Sequence, residues 1–487
     1  MDPNRQPSDT ARAYAAFLAR KSQVRSDGGF DPLWLSDALF DFQRELVVWA
    51  LRRGRAAIFA DCGLGKTLMQ LVWAENVVRY TNGRVLILTP LAVGQQTLKE
   101  GEKFGIACHR SREGVIGPTH RIVISNYEQL HHFAPQDFAG VVCDESSILK
   151  HFSGATQKAV TRFMAKIPYR LLCTATAAPN DYIELGTSSE ALGELGYSDM
   201  LTRFFRQTEK KPSRMEDVAH GKRAEHYAKL AFRISQTLGQ WRLKGHAEIP
   251  FWQWVASWAR ACRMPSDLGF ENNGFLLPPL EERWHTIIAR RPPDGLLFTL
   301  PAIGLWEERE ERRRTMTERC EQMAHLAAHA DSAILWCHLN AESRRLAECL
   351  PEAIEVTGSQ SDEEKEERIA AFLTGQARAL ITKPKIAGLG LNLQHCAHVL
   401  TFVSHSYESY YQSIRRCWRF GQTRPVRVDI LSTEGEIRVR ENMIRKAHLA
   451  SVMFDRIVRY MSEAVTVTAS SRFQAPVEVP TWISPHR

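Results

Sequence analysis

Ten cysteines are scattered along the chain without a single C-x-x-C pair. Neither a disulfide framework nor a zinc finger is therefore indicated, and most of the thiols fit burial in a reducing compartment. No apolar run approaches the roughly 18 residues that a membrane span needs. Met1 to Arg20 alternates charges with short apolar groups and lacks the continuous apolar stretch of a signal peptide. A cytoplasmic protein is expected. No internal sequence repeat is present. The sequence also offers no constellation typical of a nuclease or a methyltransferase, so any such activity is expected from a protein partner.

What is present is length and positive charge. At 487 residues the chain exceeds the size of a single core, so two or three packed units are expected. Lys and Arg number 63 against 55 Asp and Glu, a formal charge of +8 and a pI near 9.0. Such a balance favours a polyanionic partner, because clustered cations attract phosphate backbones. Many basic proteins bind nothing of the kind, so charge alone does not decide.

Residues 1–35 read as a loosely attached polar leader with one helix from Thr10 to Ser22. From Phe40 short apolar runs alternate with helical stretches: Ala56–Ala60, Val85–Thr89, Arg121–Ser125, Val141–Asp144 and Arg170–Thr174. That rhythm predicts a parallel sheet covered on both faces, a first α/β lobe over 36–190. Residues 191–325, rich in Trp, Arg and helix formers, predict a mainly helical insertion. The rhythm resumes at Ala333–Cys337, Ala353–Thr357, Ala379–Thr382, Val399–Phe402 and Val426–Leu431, then a helix from Ile437 to Met461. This is a second lobe over 326–465, with a polar tail over 466–487.

Three groups of residues carry chemistry. Ala60-Asp61-Cys62-Gly63-Leu64-Gly65-Lys66-Thr67 follows an apolar strand and opens a helix. Gly63 and Gly65 let backbone N–H groups wrap phosphate, Lys66 supplies charge to the β and γ phosphates of ATP, and Thr67 offers its hydroxyl to magnesium. A phosphate loop needs a carboxylate on a neighbouring strand end, and Val141-Val142-Cys143-Asp144-Glu145 supplies it. Asp144 would hold Mg2+ and Glu145 would polarise the attacking water. In the second lobe Arg416 and Arg419 stand three apart, on one face if helical, and suit the stabilisation of charge on a γ phosphate. A solvated basic face is the plainer reading of an arginine run taken by itself.

In this order the motifs resemble superfamily two helicases, most closely the Swi/Snf-like branch. Residues 60–67 are similar to the A-x-x-G-x-G-K-T form of motif I, with Ala60 where the general phosphate-loop pattern has glycine. Phe42-Gln43 resembles the segment in which a glutamine reads adenine. Thr89-Pro90-Leu91 and Ser125-Asn126-Tyr127-Glu128 resemble motifs Ia and Ib, and Asp144-Glu145-Ser146-Ser147 motif II. Thr174-Ala175-Thr176, followed by Pro179-Asn180, resembles motif III. Gly388 to Gln394 is similar to motif V, and Gln412 to Gln422 to motif VI. The resemblance implies two RecA-like lobes, nucleotide contacts from Gln43 and Gly388, and coupling of the ATP site to a nucleic-acid groove through Thr174, Thr176 and Gln412. It also implies ATP-dependent movement on nucleic acid, double-stranded DNA foremost. Motif II departs from the family by ending in Ser147 rather than His, so its contact with motif III is expected to be rewired. The Thr382 to Ala387 stretch before motif V resembles helicases of bacteriophage and prophage regions, which implies a bacterial or phage-infected cell.

Between the lobes, residues 203–233 carry nine Lys or Arg against four acids, which suits either a phosphate track or a solvated helix. Trp241, Trp252, Trp254 and Trp258 are expected in a buried core rather than stacked on bases. The charged run Trp306 to Arg314 is expected as an exposed helix. His395, Cys396 and His398 do not make a complete metal site, and a packed loop is expected there. Two other functions stay open: true strand separation on DNA or RNA, and an ATP-gated switch subunit of a nuclease, methyltransferase or phage complex.

Overall fold

The computed structural model describes residues 28–467 except 209–239, 291–301, 388–391 and the single positions 92, 112, 151, 153, 179, 273, 303 and 304. The Thr10–Ser22 helix, most of the basic stretch, Pro179, Gly388 and the tail beyond 467 lie outside the described residues.

Each apolar run named above becomes a strand. In the first lobe these are β1 (Arg55–Ala60), β2 (Val85–Thr89), β3 (Cys108–Arg110), β4 (Ile122–Asn126), β5 (Gly140–Asp144) and β6 (Tyr169–Cys173). The segment that follows gives the antiparallel pair β7 (Phe205–Thr208) and β8 (Gln240–Leu243), then β9 (Ala259–Cys262) and β10 (Leu280–Ile287). The second lobe holds β11 (Ala333–Trp336), β12 (Ile354–Glu355), β13 (Ala379–Thr382), β14 (His398–Phe402) and β15 (Val426–Thr433). The first sheet runs β3-β4-β2-β5-β6-β1-β9 and the second β10-β15-β14-β11-β13-β12. Every pairing in both sheets is parallel. The continuous burial of β2, β5, β11 and β14 follows from helices on both faces.

The stretch between the lobes has four α-helices among its described residues, Tyr197–Phe204, Glu248–Trp258, Leu305–Arg314 and Met316–Ala327. It also feeds both sheets, which sequence rhythm did not show. Ala259 pairs with Ala57 at the edge of the first sheet, and Leu280 to Ile287 pairs with Val426 to Thr433 at the edge of the second. The former strand is only four residues long, and the latter, LEERWHTI, is mostly exposed as an edge strand can be. Trp252, Trp254 and Trp258 are buried in the first lobe's core. The charged helix Leu305–Arg314 departs from the exposed helix expected: Glu308 and Glu311 are buried, Glu308 on His405 and Glu311 on Arg314 and the Thr433 hydroxyl. Charges on one face of that helix have found partners in the second lobe, and burial of paired groups is tolerated.

The leader's described end is docked rather than loose. Phe30 stacks on Tyr80 with ring centroids 3.9 Å apart, and Asn76 Oδ1 accepts from the Leu33 and Trp34 amides at 2.8 and 3.0 Å. The helix Ile437–Val467 joins the lobes. Val439 and Met443 belong to the second lobe's core, whereas Met453, Phe454, Ile457 and Tyr460 pack into the first. Their i, i+1, i+4, i+7 spacing makes one apolar stripe. Arg456 and Glu248, 2.9 Å apart, flank that contact.

Candidate active site between the two lobes

The carboxyl ends of β1, β5 and β6 meet the second lobe across one cleft. Past β1 the chain turns through Gly63 (φ 87°) and Gly65 (φ 73°), left-handed conformations that favour glycine. The helix Lys66–Thr81 then begins, its first-turn N–H groups facing the loop. The Lys66 ammonium donates to the carbonyls of Ala60 (2.9 Å) and Asp61 (3.1 Å). Gln43 lies against the same loop: its amide donates to the Leu64 carbonyl at 2.8 Å and its oxygen accepts from the Phe40 N–H at 3.0 Å. Thr67 is half-buried on the helix's first turn, where its hydroxyl faces Glu100.

Asp144 ends β5. Its carboxylate accepts from Gln70 at 2.7 Å and its carbonyl from the Tyr127 hydroxyl at 2.6 Å. Burial pushes the Asp144 carboxyl up to about 6, Glu145 adds to the rise, and Gln70 and Lys66 oppose it. Glu145 takes φ 52°, one of two non-glycine residues with positive φ among the described residues. Such a residue costs on the order of 1–3 kcal/mol and persists where its surroundings over-determine it. Here two hydroxyls hold its Oε1, Thr174 at 2.6 Å and Ser147 at 2.8 Å. Thr174 also accepts from the Thr176 N–H at 3.0 Å. Ser147, where the resembled family has histidine, thus bonds directly to Glu145, and the link to the Thr174 segment runs through that carboxylate. The Thr176 hydroxyl is buried without a hydrogen-bond partner among the described residues.

From the second lobe comes the helix Tyr407–Ile414, capped by the Ser406 hydroxyl, with Gln412 half-buried on it. Arg416 and Arg419, three apart and on one face only if helical, are not on a helix: the one before them ends at Ile414 and both sit on the turn that follows. That turn's carbonyls are taken by other donors: Arg416 by the Leu393 N–H at 3.0 Å, and Cys417 by the Gln422 amide at 3.2 Å. The cleft is nevertheless where the two arginines converge. A Cβ placed on Gly63 would lie 3.1 Å from the Phe420 nitrogen and 3.6 Å from the Arg419 Cβ. Burial pulls both guanidiniums below the usual arginine range; Asp144 and Glu145 oppose this at Arg416, while Arg416 itself adds to it at Arg419. The Nε of each is buried without a hydrogen-bond partner among the described residues.

Asp61, Tyr411 and Arg415 were missed by sequence reasoning. Arg415 donates to Asp61 at 2.6 Å and to the Cys62 carbonyl at 2.8 Å, and the Tyr411 hydroxyl donates to Asp61 at 2.6 Å. Their only sequence signal was adjacency to the phosphate loop and to Arg416. Beyond them the cleft opens into a cavity of about 410 Å³, walled by Thr176, Phe275, Trp418 and Phe454 among others.

Comparison with known proteins bears on the second lobe most directly. Residues 317–421 match the helicase conserved C-terminal domain. This span covers β11 to β14 and the turn with Arg416 and Arg419. A 193-residue stretch is 28% identical to the mouse protein "DNA annealing helicase and endonuclease ZRANB3", covering 36% of this chain and 18% of that one. The chain thus spans under a fifth of that relative's length. Among solved structures, it is similar to a Sulfolobus solfataricus SWI2/SNF2 ATPase core in complex with dsDNA, at 16% identity and TM-score 0.37, covering 90% of this chain and 97% of that one. It is also similar to S. cerevisiae Dbp5 bound to RNA and ADP BeF3, at 11% identity and TM-score 0.48, covering 86% and 93%.

Proposed function

We propose that this chain is a nucleic-acid-dependent ATPase of the superfamily two, Swi/Snf-like kind, coupling ATP hydrolysis to movement on double-stranded DNA. The observation that carries the reading is the convergence, in one cleft, of a phosphate loop, a buried carboxylate pair and two guanidiniums with unpartnered Nε atoms. Gly63, Gly65 and Lys66 would cradle the phosphates, and Gln43, already turned onto the loop, would face the base. Thr67 and Asp144 offer magnesium the hard oxygen donors that it takes, and a cation beside Asp144 would restore the charge that burial disfavours. Bound there, magnesium would polarise the phosphate oxygens. Glu145, aimed by Thr174 and Ser147, would accept a proton from the attacking water. Arg416 and Arg419 would lay their free N–H groups on the charge that develops as the γ phosphoryl leaves. Because these groups belong to different lobes, hydrolysis would alter how tightly the lobes hold together, the coupling that Thr174, Thr176 and Gln412 are assigned to transmit. Gly388 is assigned to the nucleotide by its motif.

The choice of DNA is supported by the form of the motifs, the positive net charge and the mouse relative's name. The Thr382–Ala387 spacing supports a phage or prophage setting within a bacterial cytoplasm, with a nuclease or methyltransferase supplied by a partner. The test is steady-state ATPase activity with no nucleic acid, single-stranded DNA, duplex DNA or RNA, beside Lys66→Ala. Selective stimulation by duplex DNA is expected. Stimulation by single strands or RNA would indicate a strand-separating helicase, and turnover without preference a partner-gated switch.

A further inference from the structure

Three arginines converge on the phosphate loop, and their bonding differs. All three leave an Nε buried and without a hydrogen-bond partner among the described residues. Arg415 in addition spends its Nη2 on Asp61 Oδ2 (2.6 Å) and the Cys62 carbonyl (2.8 Å). The other oxygen of Asp61 receives the Tyr411 hydroxyl at 2.6 Å and the Cys62 N–H at 2.7 Å. Both side chains of the ion pair are buried, 4% exposed at Arg415 and 9% at Asp61. Asp61 belongs to the loop of the first lobe, Arg415 and Tyr411 to the second. The bonds from Leu393 and Gln422 to the arginine turn stay within the second lobe, and the Trp418 indole donates to the Pro278 carbonyl at 2.7 Å.

We infer that Arg415 is a positioning residue: through Asp61 it docks the turn bearing Arg416 and Arg419 onto the phosphate loop, and so sets where those two guanidiniums stand. This rests on the ATPase reading above. The link does not need nucleotide, since both partners are side chains of the protein. With its charge matched by Arg415, Asp61 would also repel phosphates bound at the loop less. A buried pair is a device of registry more than of stability, because desolvation offsets much of its attraction.

The test is a kinetic cycle on the full chain with Asp61→Asn, Arg415→Met, their combination and Arg415→Lys, each checked for folding by thermal melting. The amide introduced by Asp61→Asn would keep an oxygen for the Tyr411 hydroxyl and the Cys62 N–H, so this substitution removes the charge and the acceptor that Arg415 uses while sparing the other two bonds. Misplacing reacting groups by about 1 Å can cost on the order of 10²-fold in rate. The expected result is a kcat lowered by roughly tenfold or more in both single variants, with KM for ATP within about threefold of the parent. The double variant should be no worse than Arg415→Met, and Arg415→Lys should recover part of the loss. A kcat that rises in Asp61→Asn while falling in Arg415→Met would make Arg415 itself a phosphate ligand and overturn the inference. So would a fall in melting temperature with kcat unchanged. If the parent hydrolyses no ATP under any condition, the ATPase reading fails and the docking is decided by small-angle scattering without nucleotide. A larger radius of gyration in Asp61→Asn would sustain it, and an unchanged radius would refute it.

Discussion

Two glycines of the phosphate loop, two residues apart, should fail in different ways when replaced by alanine. At Gly65 an added Cβ would lie 2.3 Å from the Gln43 amide nitrogen, at a backbone φ of 73°. The left-handed conformation costs an alanine about 1–2 kcal/mol. Gln43, 3% exposed, would have to leave its bonds to Leu64 and Phe40, each worth about 1 kcal/mol. Gly65→Ala should therefore lower the stability of the first lobe by about 3–4 kcal/mol, read by urea unfolding without nucleotide, and weaken binding of a fluorescent ATP analogue. At Gly63 the φ is 87°, but the neighbour is the Phe420 backbone nitrogen of the second lobe, 3.1 Å from the added carbon. Gly63→Ala should cost the first lobe only the strain, about 1–2 kcal/mol. Its larger effect should be on kcat, because the added methyl presses on the turn that carries Arg419. Equal losses of stability in the two variants, or parental stability in Gly65→Ala, would refute the reasoning.

Other outcomes follow from the same geometry. Glu145→Gln should lower ATP turnover by about 10²–10⁴-fold, the usual worth of a positioned general base, with analogue binding retained; parental turnover would remove Glu145 from the chemistry. Burial works against the charge of Asp429, yet donors from His398 (2.6 Å), His285 (2.8 Å) and Arg427 (2.8 Å) outweigh it and hold the carboxyl at about 2. Its stabilising effect is full above the unfolded value near 4 and is lost as pH falls through about 2, so Asp429→Asn should cost on the order of 2 kcal/mol at pH 7 and little at pH 2. Denaturant titrations at the two pH values would show a constant difference if this is wrong. Arg319 of the helix Met316–Ala327 and Glu342 of the second lobe, 2.8 Å apart and fully buried, form a pair whose breaking by Arg319→Met should destabilise by about 3–5 kcal/mol, measured by chemical unfolding; a change under about 1 kcal/mol would contradict it.

Much of the fold was legible because parallel strands buried on both faces are written as continuous apolar runs. Val85–Thr89 and Ala379–Thr382 were located to the residue. The edge strands β9 and β10 were not, since four residues carry no period and LEERWHTI has one largely polar surface. Lys66, Asp144 and Glu145 could be named because phosphate and magnesium chemistry demands fixed residue types next to particular strand ends. Arg416 and Arg419 were named, but their placement was not: whether they stood on a helix was left open, and the helix stops at Ile414, beyond which carbonyls find donors from Leu393 and Gln422.

The sequence alone determined the two α/β lobes and the residue types of the candidate ATP site, because both depend on short-range patterns. The tertiary structure decided which residues meet across the cleft. Asp61 and Arg415 lie 354 positions apart, and no local pattern encodes a bond between groups so distant. The same holds for the helix Ile437–Val467, whose apolar stripe is plain in the sequence while its packing against the first lobe is not. Pairing across a cleft depends on how two separately folded sheets are set against each other, and that is fixed only when their surfaces meet.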